Sequence, residues 1–125
     1  MLTRPTLLAI VGVSHLLVGV LFLLFTANAT DLLVVDPPPR AVLLVRGLGG
    51  ILIAFGLINL LARKSTDVVA LRAIITGMLA YLVITVAFDL RWMMAGLLCP
   101  LAWATMVIRA LFAVAYARAL WQLRH

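Results

Sequence analysis

Four long apolar runs, separated by short polar segments, make up most of this chain. The clearest is Ala41 to Ala62, AVLLVRGLGGILIAFGLINLLA, followed at once by Arg63-Lys64. At about 1.5 Å of rise per residue it would make a helix of roughly 33 Å, enough to cross a hydrocarbon core of about 30 Å. A barrel strand in a membrane alternates apolar and polar residues. This run is apolar on every side, so the pattern predicts helix. Comparable runs predict helices over 7–25, 68–88 and 95–121. The predicted fold is all-α: one domain, an up-down four-helix transmembrane bundle.

The connections carry the stop and start signals. Thr26 to Arg40 is the longest, with Asp31 to Asp36 expected along the interface and Pro37-Pro38-Pro39 fixing the entry of the second helix. Arg63 to Asp67 reads as a tight turn in which Ser65 or Thr66 caps the third helix, with Asp67 favouring its N-terminus. Asp89 to Met94 reads as a short link, and Pro100 as a kink or first turn of the fourth span. Arg4 ahead of the first run and Ala27-Asn28-Ala29 after it resemble a secretory signal. That run is longer than the about 7–15 residues of a signal core, so a retained helix is expected.

Composition agrees with this pattern. Residues of hydrophobic type are 66% of the chain and charged ones 11%, where a soluble domain is about half apolar and a quarter charged. The net charge of +6 does not point to nucleic acid. The bases flank apolar runs, where topology and anionic headgroups account for them, and no basic stripe interleaves with aromatics. In the four-span topology Arg4, Arg63, Lys64, Arg72, Arg118 and Arg124 share one side, and Arg40 and Arg91 the other. The positive-inside rule then predicts both termini in the cytoplasm, with the lipid bilayer as the immediate partner. The lone Cys99 excludes an internal disulfide.

Ionisable groups inside a span cost about 2.5–3.5 kcal/mol each on insertion scales, so they single themselves out. Arg46 is expected to form an outer ion pair with Asp89. An outer anion or headgroup site, and snorkelling to the surface, are the alternatives. Arg109 lies deeper with no acid expected at its level, which leaves backbone carbonyls, Asn59, Tyr81, Ser14 or a water pocket as acceptors. His15 sits between Gly12 and Gly19 on one helical face, with Ser14 beside it. It is read as a packing residue, with haem ligation or a proton path as alternatives. A two-histidine site would need another subunit, since His125 ends the chain. His15 and Arg109 are expected at one inner depth, lining a pocket with Asn59, Tyr81 and Ser14. Arg46, Gly49, Ile53 and Gly56 share a face expected to meet other helices. No metal site, catalytic triad, paired-carboxylate site or phosphate loop is recognised.

Val13-Ser14-His15-Leu16-Leu17-Val18-Gly19, the proline-containing loop, Leu44-Val45-Arg46-Gly47 and Gly56 to Arg63 resemble small bacterial four-helix membrane proteins, many of them DoxX-like. The resemblance implies a bacterial four-helix integral membrane protein. For some DoxX-like members it implies association with quinone-linked redox complexes. Small drug-proton antiporters share the span count but require a membrane glutamate, and this chain has none. The expected function is a non-enzymatic accessory subunit of the inner membrane with a polar pocket for a lipid- or quinone-like ligand. A redox or transport component is the alternative. A membrane-protein partner or homo-oligomer would use the glycine faces.

Overall fold

The computed structural model describes residues 2–124, and His125 lies outside them. The chain forms α1 (Arg4–Leu24), α2 (Thr26–Leu33), α3 (Pro39–Ala62), α4 (Val68–Met94) and α5 (Leu101–Gln122). Four of the five, all but α2, are long and apolar enough to cross a membrane. Their outward faces are apolar too: Leu61 is 78% exposed and Val69 76%. Water would make such surfaces an aggregation hazard, whereas lipid tails make them ordinary.

Two close helix pairs organise the molecule, α1 with α3 and α4 with α5. The first pair is built on glycine. A Cβ at Gly12 would come 3.0 Å from the Gly56 carbonyl oxygen, and one at Gly56 would come 2.8 Å from the Gly12 oxygen. Seven residues along each helix the arrangement recurs, with a Cβ at Gly19 reaching 2.7 Å from the Gly49 oxygen. The obstacles are main-chain atoms, which cannot swing aside. Pairing Gly12 with Gly56 and Gly19 with Gly49 makes α1 and α3 antiparallel. Gly49, Ile53 and Gly56 therefore face α1, while Arg46 at the end of the expected face is exposed, and Gly47, Gly50 and Gly77 meet open space.

The core gathers one face from each long helix. Leu7, Leu8 and Val11 of α1 meet Ala62 of α3, Leu71, Ile75, Met78 and Leu82 of α4, and Tyr116 and Ala119 of α5. Arg72 joins the second pair at the same end. Its Nε donates to the Leu123 carbonyl at 3.1 Å, and a second guanidinium nitrogen donates to the same oxygen. That carbonyl belongs to the C-cap of α5, where helix carbonyls lack partners and a cation opposes the negative end of the dipole.

Several expected boundaries move. Asp89 to Met94 is the last part of α4, not a link, because nothing in DLRWMM breaks a helix. The break comes at Gly96, whose φ of +74° allows a Schellman turn. In it Leu97 N–H donates to Trp92 O at 3.0 Å and Gly96 N–H to Met93 O at 3.0 Å. The fourth span consequently starts at Leu101, not near Ala95, with Pro100 at its N-cap. Asp67, not Ser65 or Thr66, caps α4, its Oδ1 accepting from Val69 N–H at 2.9 Å and Ala70 N–H at 3.3 Å.

The long connection is also more ordered than its sequence shows. It holds α2 and then a single antiparallel bridge between Val34 and Leu98. Val35 N–H donates to Leu97 O at 3.0 Å and Cys99 N–H to Leu33 O at 2.9 Å. These bonds lace the α2–α3 connection to the α4–α5 link at the end of the molecule away from Arg4 and Arg124.

Alanine at Gly56 or Gly19 should force α1 and α3 apart, at about 1–3 kcal/mol of overpacking. Alanine at Gly47 or Gly50 should change stability by less than about 0.5 kcal/mol. Unfolding in mixed micelles, followed by helical circular dichroism, checks the contrast.

Candidate functional site

Between the two helix pairs a layer of polar and aromatic side chains interrupts the apolar interior. α4 supplies Tyr81, Thr85 and Asp89, spaced four apart on one helical face. α5 supplies Thr105, Arg109 and Phe112 on another, α1 supplies His15, and α3 supplies Phe55.

The charged part is an ion pair between Arg109 and Asp89, each partly buried, with side-chain exposures of 23% and 15%. Arg109 Nε also donates to Thr105 O at 3.3 Å, and an Nη nitrogen lies 3.4 Å from Thr105 Oγ1. Asp89 thus holds Arg109 and not Arg46, which corrects the expected outer ion pair. The boundaries explain the change. Extending α4 to Met94 brings Asp89 five residues inside its helix, and starting α5 at Leu101 raises Arg109 to the same level. An acid does lie at the depth of Arg109. Arg46 turns elsewhere, because at that end α3 packs on α1 and α2. It lines a concavity of about 310 Å³ with Thr26, Asn28 and Val42.

His15 and Tyr81 form the uncharged part. Their rings meet edge to face with centroids 6.2 Å apart. Phe112 stands 6.4 Å from His15, and Phe55 lies 4.7 Å from Tyr81, also edge to face. His15 Nδ1 lies 2.9 Å from Val11 O. A carbonyl only accepts, so Nδ1 carries the proton and, in the neutral ring, Nε2 keeps a lone pair. Neither that Nε2 nor the Tyr81 hydroxyl has a hydrogen-bond partner among the described residues. The layer therefore offers one acceptor and one donor beside an ion pair, framed by two phenyl rings.

The remaining expected pocket residues lie outside this group. Asn59 is fully buried and accepts at Oδ1 from the Tyr116 hydroxyl, while its Nδ2 donates to Phe55 O at 2.8 Å. It is no acceptor for Arg109, and its partner Tyr116 is 0% exposed. An asparagine and a tyrosine far apart in sequence give no sign of pairing until the fold lets the long Tyr116 side chain of α5 reach across to α3. Ser14 Oγ donates to Ile10 O of its own helix at 2.7 Å, so it too is spent. Thr105 stands one turn before Arg109, where helical spacing alone places it on or near the arginine's face, whereas Phe55 is the site residue that sequence reasoning passed over, one apolar residue among many in its run. No group of three or more His, Cys, Asp or Glu side chains suited to a metal occurs among the described residues.

Removing one member of the ion pair should strand the other, partly buried, in a largely apolar interior. Arg109→Leu or Asp89→Leu alone should cost up to about 3–5 kcal/mol, and the double substitution should recover most of it. A double-mutant cycle by micelle unfolding measures the coupling, and additive costs would count against the pair.

No family model, curated protein or solved structure matches the chain, so the case for this layer is carried by its geometry.

Proposed function

We propose that this chain is a non-enzymatic integral membrane protein of a bacterial inner membrane, an up-down four-helix bundle with both termini cytoplasmic. Its role is that of an accessory subunit that holds a quinone-like or other amphipathic molecule at the layer of His15, Tyr81, Asp89 and Arg109. The observation that carries this reading is the unspent pair of polar atoms in that layer, His15 Nε2 and the Tyr81 hydroxyl, beside a charged pair that an apolar interior accommodates only at a cost. A quinone oxygen needs a donor and a quinol hydroxyl an acceptor, and Phe55 and Phe112 supply flat apolar contact for the ring. Six basic groups at the terminal end against two at the other, together with four apolar helices, support the orientation. The resemblance to DoxX-like proteins supports a second reading, a redox-associated or transport component. There the same two atoms would pass protons.

Native mass spectrometry of protein purified in mild detergent should show one retained amphipath, or uptake of an added quinone. Tyr81→Phe, which removes only the hydroxyl, should weaken retention about tenfold, the worth of one hydrogen bond. Equal retention by the variant, or none by either protein, overturns the reading. A visible absorption band would instead assign haem to His15.

Orientation has its own measurement. In a Cys99→Ser background, Asn28→Cys should react with an impermeant maleimide added to intact cells, and Thr66→Cys only after lysis. The reverse pattern would place the termini outside.

A further inference from the structure

At the terminal end, α1 and α5 diverge around a cleft of about 240 Å³. Arg4 stands on one side, and Arg118 and Gln122 on the other, with Leu7, Leu111 and Val114 below them. The two arginines give the cleft its meaning. Arg4 Nε is shielded from solvent and has no hydrogen-bond partner among the described residues. A buried N–H of a cation without an acceptor is costly, and native structures seldom leave one so. Arg118 has no hydrogen-bond or ion-pair partner among the described residues either.

No described residue supplies the missing acceptor. Asp67 is the acid expected at this end, and its Oδ1 is spent capping α4. Asp31, Asp36 and Asp89 belong to the other half of the molecule. An acceptor from outside must therefore be anionic, and it must reach a partly sheltered guanidinium. A phosphodiester fits, because its paired oxygens match the fork of an arginine and a single phosphate can bridge two of them.

What lies beneath decides between a free anion and a lipid. Leu111, Val114, Arg118 and Gln122 follow one face of α5, so the cleft is polar at its mouth and apolar below. From Gln122 to Leu111 the helix descends roughly 16 Å by its rise per residue. That is close to half of a hydrocarbon core of about 30 Å, the depth of one leaflet. Leu111 and Val114 are exposed at 64% and 69% and are free to take an acyl chain. Basic pockets between helices on the cytoplasmic side are a recurring form of anionic headgroup site.

We infer that the cleft between α1 and α5 binds one anionic phospholipid, its phosphate between Arg4 and Arg118 and one acyl chain along Leu111 and Val114. The inference rests on the membrane-embedded reading with the terminal end cytoplasmic, and it is independent of the ligand proposed at the His15 layer. It gives the positive charge of that end a second role, since two of the six bases select a lipid as well as orienting the chain.

Full-length protein in nanodiscs of mixed phosphatidylglycerol and phosphatidylcholine tests it, with bound lipid counted by native mass spectrometry after release. One phosphatidylglycerol should be retained with about tenfold preference over phosphatidylcholine. The double variant Arg4→Gln/Arg118→Gln should lose that preference. Arg63→Gln/Lys64→Gln, which removes the same charge from the same end outside the cleft, should keep it. Equal retention of both lipids by the wild-type protein overturns the site, as does equal loss in the two double variants. Displacement of the lipid by inorganic phosphate at equal concentration overturns the lipid assignment in favour of a free-anion site. A chain that does not enter nanodiscs overturns the membrane reading and this inference with it, whereas a chain that enters without preference overturns the inference alone.

Discussion

Main chain lies directly against main chain where Gly12 meets Gly56 and Gly19 meets Gly49, and much of the molecule follows from that contact. Lipid tails are as apolar as leucine, so a bilayer offers no hydrophobic drive for two helices to associate. Close approach, with its dense dispersion contacts, takes that place. The seven-residue spacing of glycines on both helices fixes their register as well as their distance. His15 lies between the α1 glycines, and Phe55 precedes one of the α3 glycines. The same contact therefore turns the histidine toward α4 and α5 and sets Phe55 against Tyr81.

A second constraint is the scarcity of partners for polar groups in an apolar surrounding. Most are satisfied within their own helix. Ser14, Thr26, Thr30, Thr85 and Thr105 each donate to a carbonyl three or four residues back. Such a bond hides a hydroxyl without needing a neighbour. The rest pair across helices: Asn59 with Tyr116, Asp89 with Arg109, and Arg72 with the C-cap carbonyl of α5. Among the groups left over, two places stand out, the His15–Tyr81 layer and the Arg4–Arg118 cleft. These are the places where the ligands proposed above would find polar partners.

The polar layer and the cleft also differ in kind. The layer lies between helices from both pairs and is framed by aromatic rings, so the ligand proposed there would be flat and mostly apolar. The cleft opens at the basic end and runs down the outside of α5, so its occupant must be charged at one end and extended at the other. Both follow from the same arrangement, in which two tight helix pairs meet through a looser interface.

The sequence by itself determined the four apolar helices and their approximate limits, because length and unbroken hydrophobicity are local properties. It also determined the glycine faces of α1 and α3 and the shared face of Tyr81, Thr85 and Asp89, because helical periodicity is local too. Partner choice was a matter for the tertiary structure. Asp89 was legible as a costly acid, but its pairing with Arg109 in place of Arg46 depends on a six-residue shift in where α5 begins. That shift is set by the turn at Gly96, which hydrophobicity does not mark. Asn59 and Tyr116 are 57 residues apart, and nothing in the sequence pairs them until the Tyr116 side chain reaches across from α5 to α3. The unsatisfied Arg4 nitrogen was beyond the reach of pattern, since a missing partner is a property of three-dimensional surroundings and leaves no trace in the order of residues.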